Sequence, residues 1–503
     1  MDRLQEIIRV VGRMRLRRIE VFNDSGSRER KSLYYKLYQG IKDGTFKSDE
    51  DAAKALFGVD PSEKKYLMLK SRVKNRLLNT LLFLDNTVSL YDQAIFQCNR
   101  NLVAAKALLQ SGARKAGESM LITTLHQAEK FELNDIVLSC LLSLRYSAAF
   151  SGNRTEFEHY RKRFREVEAI FHAECKAEEY YQIITLPFGK SSSNQPELAS
   201  TANEFVQEIE LERQKHTSFN LELVLFRLRV MAGQIGGNPD LVLEACDQTE
   251  VFLSQRKHLA AKIRFGEIAL YRMTAYIQLG TFEPGRKTFE TGLQYFGDGS
   301  LNWMIFQEHY FLLCMHTSHY AQAAEVFKQV TDHPRFASLD EVRKEKWRIF
   351  EAFLKYILNG RIDSEAGGVV ESQFKLMKFL NEVPTYSKDK RGLNIAIIIL
   401  QILFLLDRRD FDGIISRAEA LKVYCSRYLK VDENYRSNCF LKMMLLMEKQ
   451  GFEYEATSRI ADNYFQNLKS SRFNYEAGNL ASLEIIPYEQ LWATILQKLR
   501  ELN

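Results

Sequence analysis

Apolar residues recur along most of the chain at the three- and four-residue spacing of amphipathic helices, and strand-like alternation is weak throughout. Asp2 to Phe22 sets Leu4, Ile7, Ile8, Val11 and Met14 on one helical stripe, with Arg9, Arg13 and Arg17 on another. Asn23-Asp24-Ser25-Gly26-Ser27 then reads as a turn, and Leu33, Tyr34, Leu37 and Ile41 mark a second helix around 31–41. Ser48-Asp49-Glu50-Asp51 carries the side chains of a helix start and Gly58 those of a helix stop. Pro61 opens a longer basic helix through about Leu84.

From Tyr91 onward the pattern becomes regular, with helices of roughly 15–20 residues alternating with short turns. The predicted spans lie near 92–111, 114–131, 134–151, 154–180, 196–213, 217–235, 239–255, 259–279 and 282–297. They continue near 301–317, 320–332, 340–359, 365–383, 392–407, 411–429, 433–450, 453–469 and 486–501. The most apolar stretch, Leu393 to Leu406, contains Asn394 and Gln401 and is shorter than the ~20 residues of a membrane span. It reads as a helix buried among other helices.

Composition supports a helical protein. The 503 residues include only 8 Pro and 25 Gly, against roughly 25 and 35 at average usage. Both residues interrupt regular structure, so their scarcity favours long helices. The seven cysteines are scattered, with no CxxC pair. That pattern suits reduced thiols in a cytoplasmic protein and excludes a cysteine-built zinc site. No secretory leader is legible at the N-terminus.

A repeated unit stands out in Tyr276-Ile277-Gln278-Leu279-Gly280-Thr281-Phe282-Glu283-Pro284-Gly285 and continues through Phe289 to Gly292. Gly280 ends one helix, Gly285 and Gly292 let the next approach, and Phe289 fills the space between. A second copy begins with Tyr320, Ala323, Phe327 and Val330, and fainter echoes occur at Phe411-Ile414-Ala418 and Gly112-Arg114-Gly117-Leu121. These units resemble a degenerate tetratricopeptide repeat, without the tryptophan and Leu-Gly positions of its first helix. The resemblance implies an all-α solenoid of stacked antiparallel helix pairs, with a concave face that binds a peptide or another protein.

The domain expectation is a basic N-terminal helical module over 1–90, a first repeat block over 91–195 and a tetratricopeptide-like block over 196–503. The Ser-rich stretch from Leu186 to Pro196 forms the linker between the two blocks.

Charge is uneven. Residues 1–80 hold 19 Lys and Arg against 11 Asp and Glu, a net of +8, within a whole-chain charge of +6. Arg9, Arg13, Arg15, Arg17 and Arg18, with Lys70, Arg72, Lys74 and Arg76, are therefore candidates for contact with an anionic partner. That partner is either nucleic acid or an acidic protein surface; peripheral membrane contact is the weaker reading.

Catalytic signatures fail on their spacing. Gly189-Lys190-Ser191 has Ile184 where a phosphate-binding loop needs glycine. His309, His316 and His319 recur on one helix, and are read as polar rim residues, not a metal site. Arg154 with His159, and Arg165 with His172, match the spacing of HEPN-type ribonucleases, at a frequency chance alone supplies. The expectation is a non-enzymatic, cytoplasmic scaffold or adaptor without cofactor or metal, its groove lined by Arg272, Tyr276, Gln278 and His309. The alternative is a nucleic-acid-associated regulator acting through the basic N-terminal module, with the solenoid recruiting a partner.

Overall fold

The computed structural model describes residues 1–13, 32–82, 89–188, 195–359, 393–428, 435–471, 473 and 484–502. Among them are 21 α-helices and no strand. The helix expected at 365–383 lies outside the described residues, as do Arg15, Arg17, Arg18 and Gly189-Lys190-Ser191. Two compact units divide the chain, Met1–Phe171 and His172–Asn503.

The first unit opens with α1 (Asp2–Arg13), α2 (Leu33–Lys42), α3 (Asp49–Phe57) and α4 (Lys64–Leu82). Their apolar stripes meet in one core, with Leu4, Ile8, Leu37, Tyr66, Val73 and Leu77 buried. Ser48 caps α3 through a capping box with Asp51, and Gly58 closes it in the left-handed conformation, φ 66°. Asp49 gathers three donors: the Met1 ammonium at 2.8 Å, Lys70 Nζ at 2.8 Å and the Tyr66 hydroxyl at 2.6 Å. Partial burial works against its charge, but these hydrogen bonds outweigh that and hold its pKa at about 2.

The same unit continues with α5 (Leu90–Gln110), α6 (Arg114–Lys130), α7 (Asn134–Phe150) and α8 (Arg154–Phe188), the last of which also contributes residues to the second unit. α6 packs along both α5 and α7, which also touch each other. Cys98 of α5 and Cys140 of α7 are fully buried and lie close enough to interact electrostatically. Burial raises the pKa of both thiols, that of Cys98 to about 11 and that of Cys140 to about 12.

The second unit stacks α9 (Gln195–Lys215), α10 (Phe219–Ile235), α11 (Pro239–Gln255), α12 (Lys262–Leu279), α13 (Phe282–Gly292), α14 (Leu301–His316), α15 (Tyr320–Thr331) and α16 (Glu341–Asn359). It continues with α17 (Leu393–Asp407), α18 (Phe411–Tyr428), α19 (Tyr435–Lys449), α20 (Tyr454–Ser470) and α21 (Tyr488–Leu502). Consecutive helices pack pairwise, and α12 also packs on α14, and α19 on α21, as stacked pairs require. This is the all-α helical-repeat architecture that the helical periodicity predicts.

The turns inside the pairs share one geometry. A residue in the left-handed region joins α10 to α11 (Gly237, φ 61°), α12 to α13 (Gly280, φ 65°), α14 to α15 (Ser318, φ 61°) and α17 to α18 (Arg409, φ 59°). The structural repeat is therefore better kept than its sequence signature, because Ser318 and Arg409 adopt a conformation that glycine takes at less cost. Phe289 stacks on Tyr310 with ring centroids 3.9 Å apart. A Cβ on Gly292 would lie 2.7 Å from Phe306 Cζ, so this close helix approach needs glycine.

The central helices of this unit are buried on nearly every face. In α14, Phe306 and Phe311 through Met315 lie in the core, and in α17 every residue from Ala396 to Leu406 does. The expectation of a buried helix at Leu393–Leu406 is met at these positions.

The C-terminal helix α21 closes the unit, burying Tyr488, Leu491, Trp492, Ile495 and Leu499. Tyr488 stacks on Phe440 of α19 at 4.5 Å, Gln490 accepts a hydrogen bond from Tyr320 of α15 at 3.4 Å, and Lys498 pairs with Asp407 of α17.

Candidate functional site

The four residues expected to line a groove do not form one open surface. Arg272 is half-buried on α12 and bridges to α11, with Nη2 2.5 Å from Asp247 and 2.6 Å from Glu250. Tyr276 is half-buried one turn further on. Gln278 is half-buried, and its Nε2 finds no hydrogen-bond partner among the described residues.

The rim reading of the histidines fails at two positions. His309 and His316 are buried, because α14 is apolar around almost its whole circumference and turns them into the core. His309 Nδ1 lies 2.6 Å from the Ile305 carbonyl oxygen. His316 Nε2 donates to the Glu484 carbonyl oxygen at 2.5 Å. His319 instead stacks on Phe282, with ring centroids 3.4 Å apart. Among the described residues no group of three or more His, Cys, Asp and Glu is placed to hold a metal ion.

Burial pushes the His316 pKa down from 6.5 to about 4, so the folded protein holds this ring neutral. An unfolded chain takes up a proton there below pH 6.5, and the folded chain does so only near pH 4. Stability from His316 is therefore complete above pH 6.5 and declines as pH falls towards 4. The expected loss between pH 7.5 and pH 5 is about 2 kcal/mol from this residue. Denaturant unfolding at the two pH values checks it, and His316→Gln, which keeps an N–H donor but cannot titrate, flattens the difference. An equal loss in the variant rejects the assignment.

The basic N-terminal candidates are only partly placed. Helix α1 carries Arg9 and Arg13. Lys70 is committed to Asp49, and Arg72 reaches the Tyr34 hydroxyl at 3.4 Å. The Arg76 guanidinium lies 4.5 Å above the Tyr34 ring centroid, and Lys74 is exposed.

A different surface carries the strongest signal for recognition. On α5, Phe96 and Val103 are 41% and 69% exposed; on α7, Leu142, Tyr146 and Phe150 are 50%, 66% and 63% exposed. Helical geometry puts Phe96 and Val103 within about 20° of one direction, and Leu142, Tyr146 and Phe150 within about 80°. The Tyr146 and Phe150 rings pack together at 4.7 Å.

The two helices run side by side. Asp135 of α7 acts electrostatically on Cys98 of α5, and Lys106 of α5 acts on Cys140 of α7. On the other flank, Gln97 of α5 accepts a hydrogen bond from Gln127 of α6 at 3.3 Å, and Ser147 of α7 donates to Glu118 of α6. Each stripe lies roughly opposite the buried positions of its own helix, Ala94, Cys98 and Ala105 on α5 and Val137, Cys140 and Leu144 on α7.

The sequence does hold a trace of this face. Helix α7 has apolar residues on every side: Ile136, Val137, Leu141 and Leu144 inward, Leu142, Tyr146 and Phe150 outward. Such a helix is either fully buried or carries a binding face.

The fold thus defines the chain as an all-α helical-repeat protein. No family model, curated protein or solved structure matches it. Among the described residues no helix is long and apolar enough to cross a membrane.

Proposed function

We propose that the protein is a non-enzymatic scaffold or adaptor that binds a protein partner through its helical repeats. The observation that carries this reading is the exposed apolar face of α5 and α7, with Val103, Tyr146 and Phe150 each more than 60% exposed. Scattered apolar residues are ordinary on a protein surface, but large aromatic and aliphatic side chains lined up along two neighbouring helices suit recognition. The binding surface therefore shifts from Arg272, Tyr276, Gln278 and His309 to the first repeat pairs. The competing reading, contact with nucleic acid through residues 1–80, rests on charge; Lys70, Arg72 and Arg76 already have partners within the chain.

Affinity purification from the native lysate, with nuclease present, tests this proposal. The full chain is compared with a Leu142→Asp/Tyr146→Asp variant whose helical circular dichroism matches the wild type. The expected result is a stoichiometric protein captured by the wild type and lost by the variant. Identical captures from both, or none from either, overturn the reading.

A further inference from the structure

Helix α4 presents an outward face of a different kind. Its sequence carries Lys64, Lys65, Lys70, Arg72, Lys74 and Arg76 and neither Asp nor Glu. Tyr66, Leu69, Val73 and Leu77 are buried in the core shared with α1 and α2. Leu67, Met68 and Leu78 are instead 49%, 43% and 39% exposed. Helical geometry puts these three within a sector of about 100°, whose centre lies about 170° from the buried stripe. Lys74 lies about 20° beyond one edge of that sector, and Arg72 and Lys65 lie about 40° and 60° beyond the other. Lys64, Ser71 and Asn75, all exposed, share the sector, so aliphatic and polar side chains interleave across it.

Acidic side chains meet this helix elsewhere. Asp49 touches Tyr66 and Lys70, on a flank more than about 100° from the centre of the sector. Its charge is already matched by Lys70 and the Met1 ammonium. Glu63 is exposed just before the helix begins. Among the described residues Arg72 donates only to the neutral Tyr34 hydroxyl, a contact that positions the guanidinium without cancelling its charge.

The side chains on the face decide which kind of anion it suits. Nucleic acid is held by cations together with open aromatic rings. The one aromatic residue of α4 is the buried Tyr66, and the Tyr34 ring is covered by Arg76 at 4.5 Å. A protein partner packs closely on a contiguous apolar patch, and here Ser71 and Asn75 separate Leu67 and Met68 from Leu78. The boundary between lipid headgroups and acyl chains is fluid and accepts separated aliphatic side chains, while lysine and arginine at the edges reach acidic headgroups. Lipid contact is the weaker reading of the sequence, where the clearest apolar stripe lies on α1. The structure buries Leu4 and Ile8 of that stripe and exposes the aliphatic residues of α4.

We propose that α4 lies along an anionic membrane surface, with Leu67, Met68 and Leu78 entering the headgroup layer and Lys64, Lys65, Arg72 and Lys74 facing acidic lipids. Each cation near such a surface strengthens binding about fivefold, so four of them compensate for the small number of aliphatic side chains. This goes beyond the protein-binding reading and uses a different surface, which leaves the repeats open to a partner held at the membrane.

Sedimentation of the full chain with sucrose-loaded vesicles tests the proposal. At low salt, vesicles containing about one-third phosphatidylserine are expected to bind at least about tenfold more strongly than pure phosphatidylcholine. Higher salt weakens that binding. Lys64→Glu/Lys74→Glu is expected to lose at least about tenfold, and Leu67→Asn/Met68→Asn about fivefold, with helical circular dichroism as in the wild type. Leu142→Asp/Tyr146→Asp, on the other surface, binds vesicles as the wild type does.

Equal binding to the two kinds of vesicle, or to neither, overturns the inference. So does binding that survives Lys64→Glu/Lys74→Glu, or that Leu67→Asn/Met68→Asn leaves unchanged, since charge alone then accounts for it. Loss of vesicle binding in Leu142→Asp/Tyr146→Asp moves the contact off α4 and rejects it as well. A fluorescein-labelled RNA of about 20 nucleotides is run in parallel. If the chain binds that RNA through Lys64 and Lys74 and ignores acidic vesicles, the face belongs to nucleic acid and the membrane proposal is wrong.

Discussion

Replacing Arg436 with Met is expected to destabilise the second unit by about 3–5 kcal/mol, the cost of breaking a buried ion pair from one side. The guanidinium has 12% of its side chain exposed and ties four segments together. Nε and Nη2 fork onto Glu484 at 3.0 and 2.8 Å, and Nη2 also reaches Glu489 at 2.8 Å. Nη1 donates to the carbonyl oxygens of Leu468 and Ser471 at 2.9 and 2.6 Å. Burial opposes the Arg436 charge, but the two carboxylates outweigh it and raise its pKa above the ordinary value. Methionine fills much of the volume and leaves Glu484 buried without its cation. Chemical denaturation followed by circular dichroism measures the effect. Adding Glu484→Gln to the variant is expected to recover much of the loss, because the stranded charge is then gone. Arg436→Lys recovers little, because a single ammonium cannot fork across two carboxylates and two carbonyls. Wild-type stability in Arg436→Met rejects the arrangement.

Trp492→Ala is expected to cost a similar amount, about 3–5 kcal/mol, through the cavity it opens. Trp492 is among the largest fully buried side chains, and Leu491 and Ile495 on the same helix are buried with it. Limited proteolysis separates local from global loss. Early cleavage within 484–502 shows that α21 has detached, whereas uniform sensitivity shows that the whole unit has loosened. Trp492→Phe retains most of the buried surface and is expected to lose less than half as much. Unchanged denaturation and protease resistance in Trp492→Ala contradicts the packing described for α21.

Helix content was legible in the sequence because it depends on local spacing. The predicted helix at 239–255 coincides with Pro239–Gln255, where Asn238 caps and proline begins the helix. Gly280 ends α12 in the left-handed conformation that its place in the repeat demands. The differences come from tertiary packing. Helix α13 stops at Gly292 and passes into a 3-10 turn over Leu293–Tyr295, short of the expected 297. Helix α8 runs to Phe188 instead of 180, carried onward by Ile184, which packs with Ala202 and Met231.

The candidate site was much less legible, and α7 against α14 shows why. Both sequences are apolar around the helix, yet α14 is enclosed and α7 keeps Leu142, Tyr146 and Phe150 in solvent. Which faces are covered depends on neighbours distant in sequence, and periodicity carries no information about them. The same holds for Arg436 and Glu484, which pair across 48 residues. Histidines on α14 looked like rim residues because polarity was read as exposure; His316 is instead satisfied by a carbonyl 168 residues away.

That last separation bears on how the chain is made. Helix α21 leaves the ribosome after every helix it covers, so Tyr320, Asp407 and Phe440 wait for partners that have not yet been synthesised. Until Glu484 reaches Arg436 and His316, the apolar residues beneath α21 stay open to water and to neighbouring nascent chains. Completing this core therefore requires contacts between segments far apart in sequence, the kind of closure that topology makes slow and that leaves apolar surface open in the meantime.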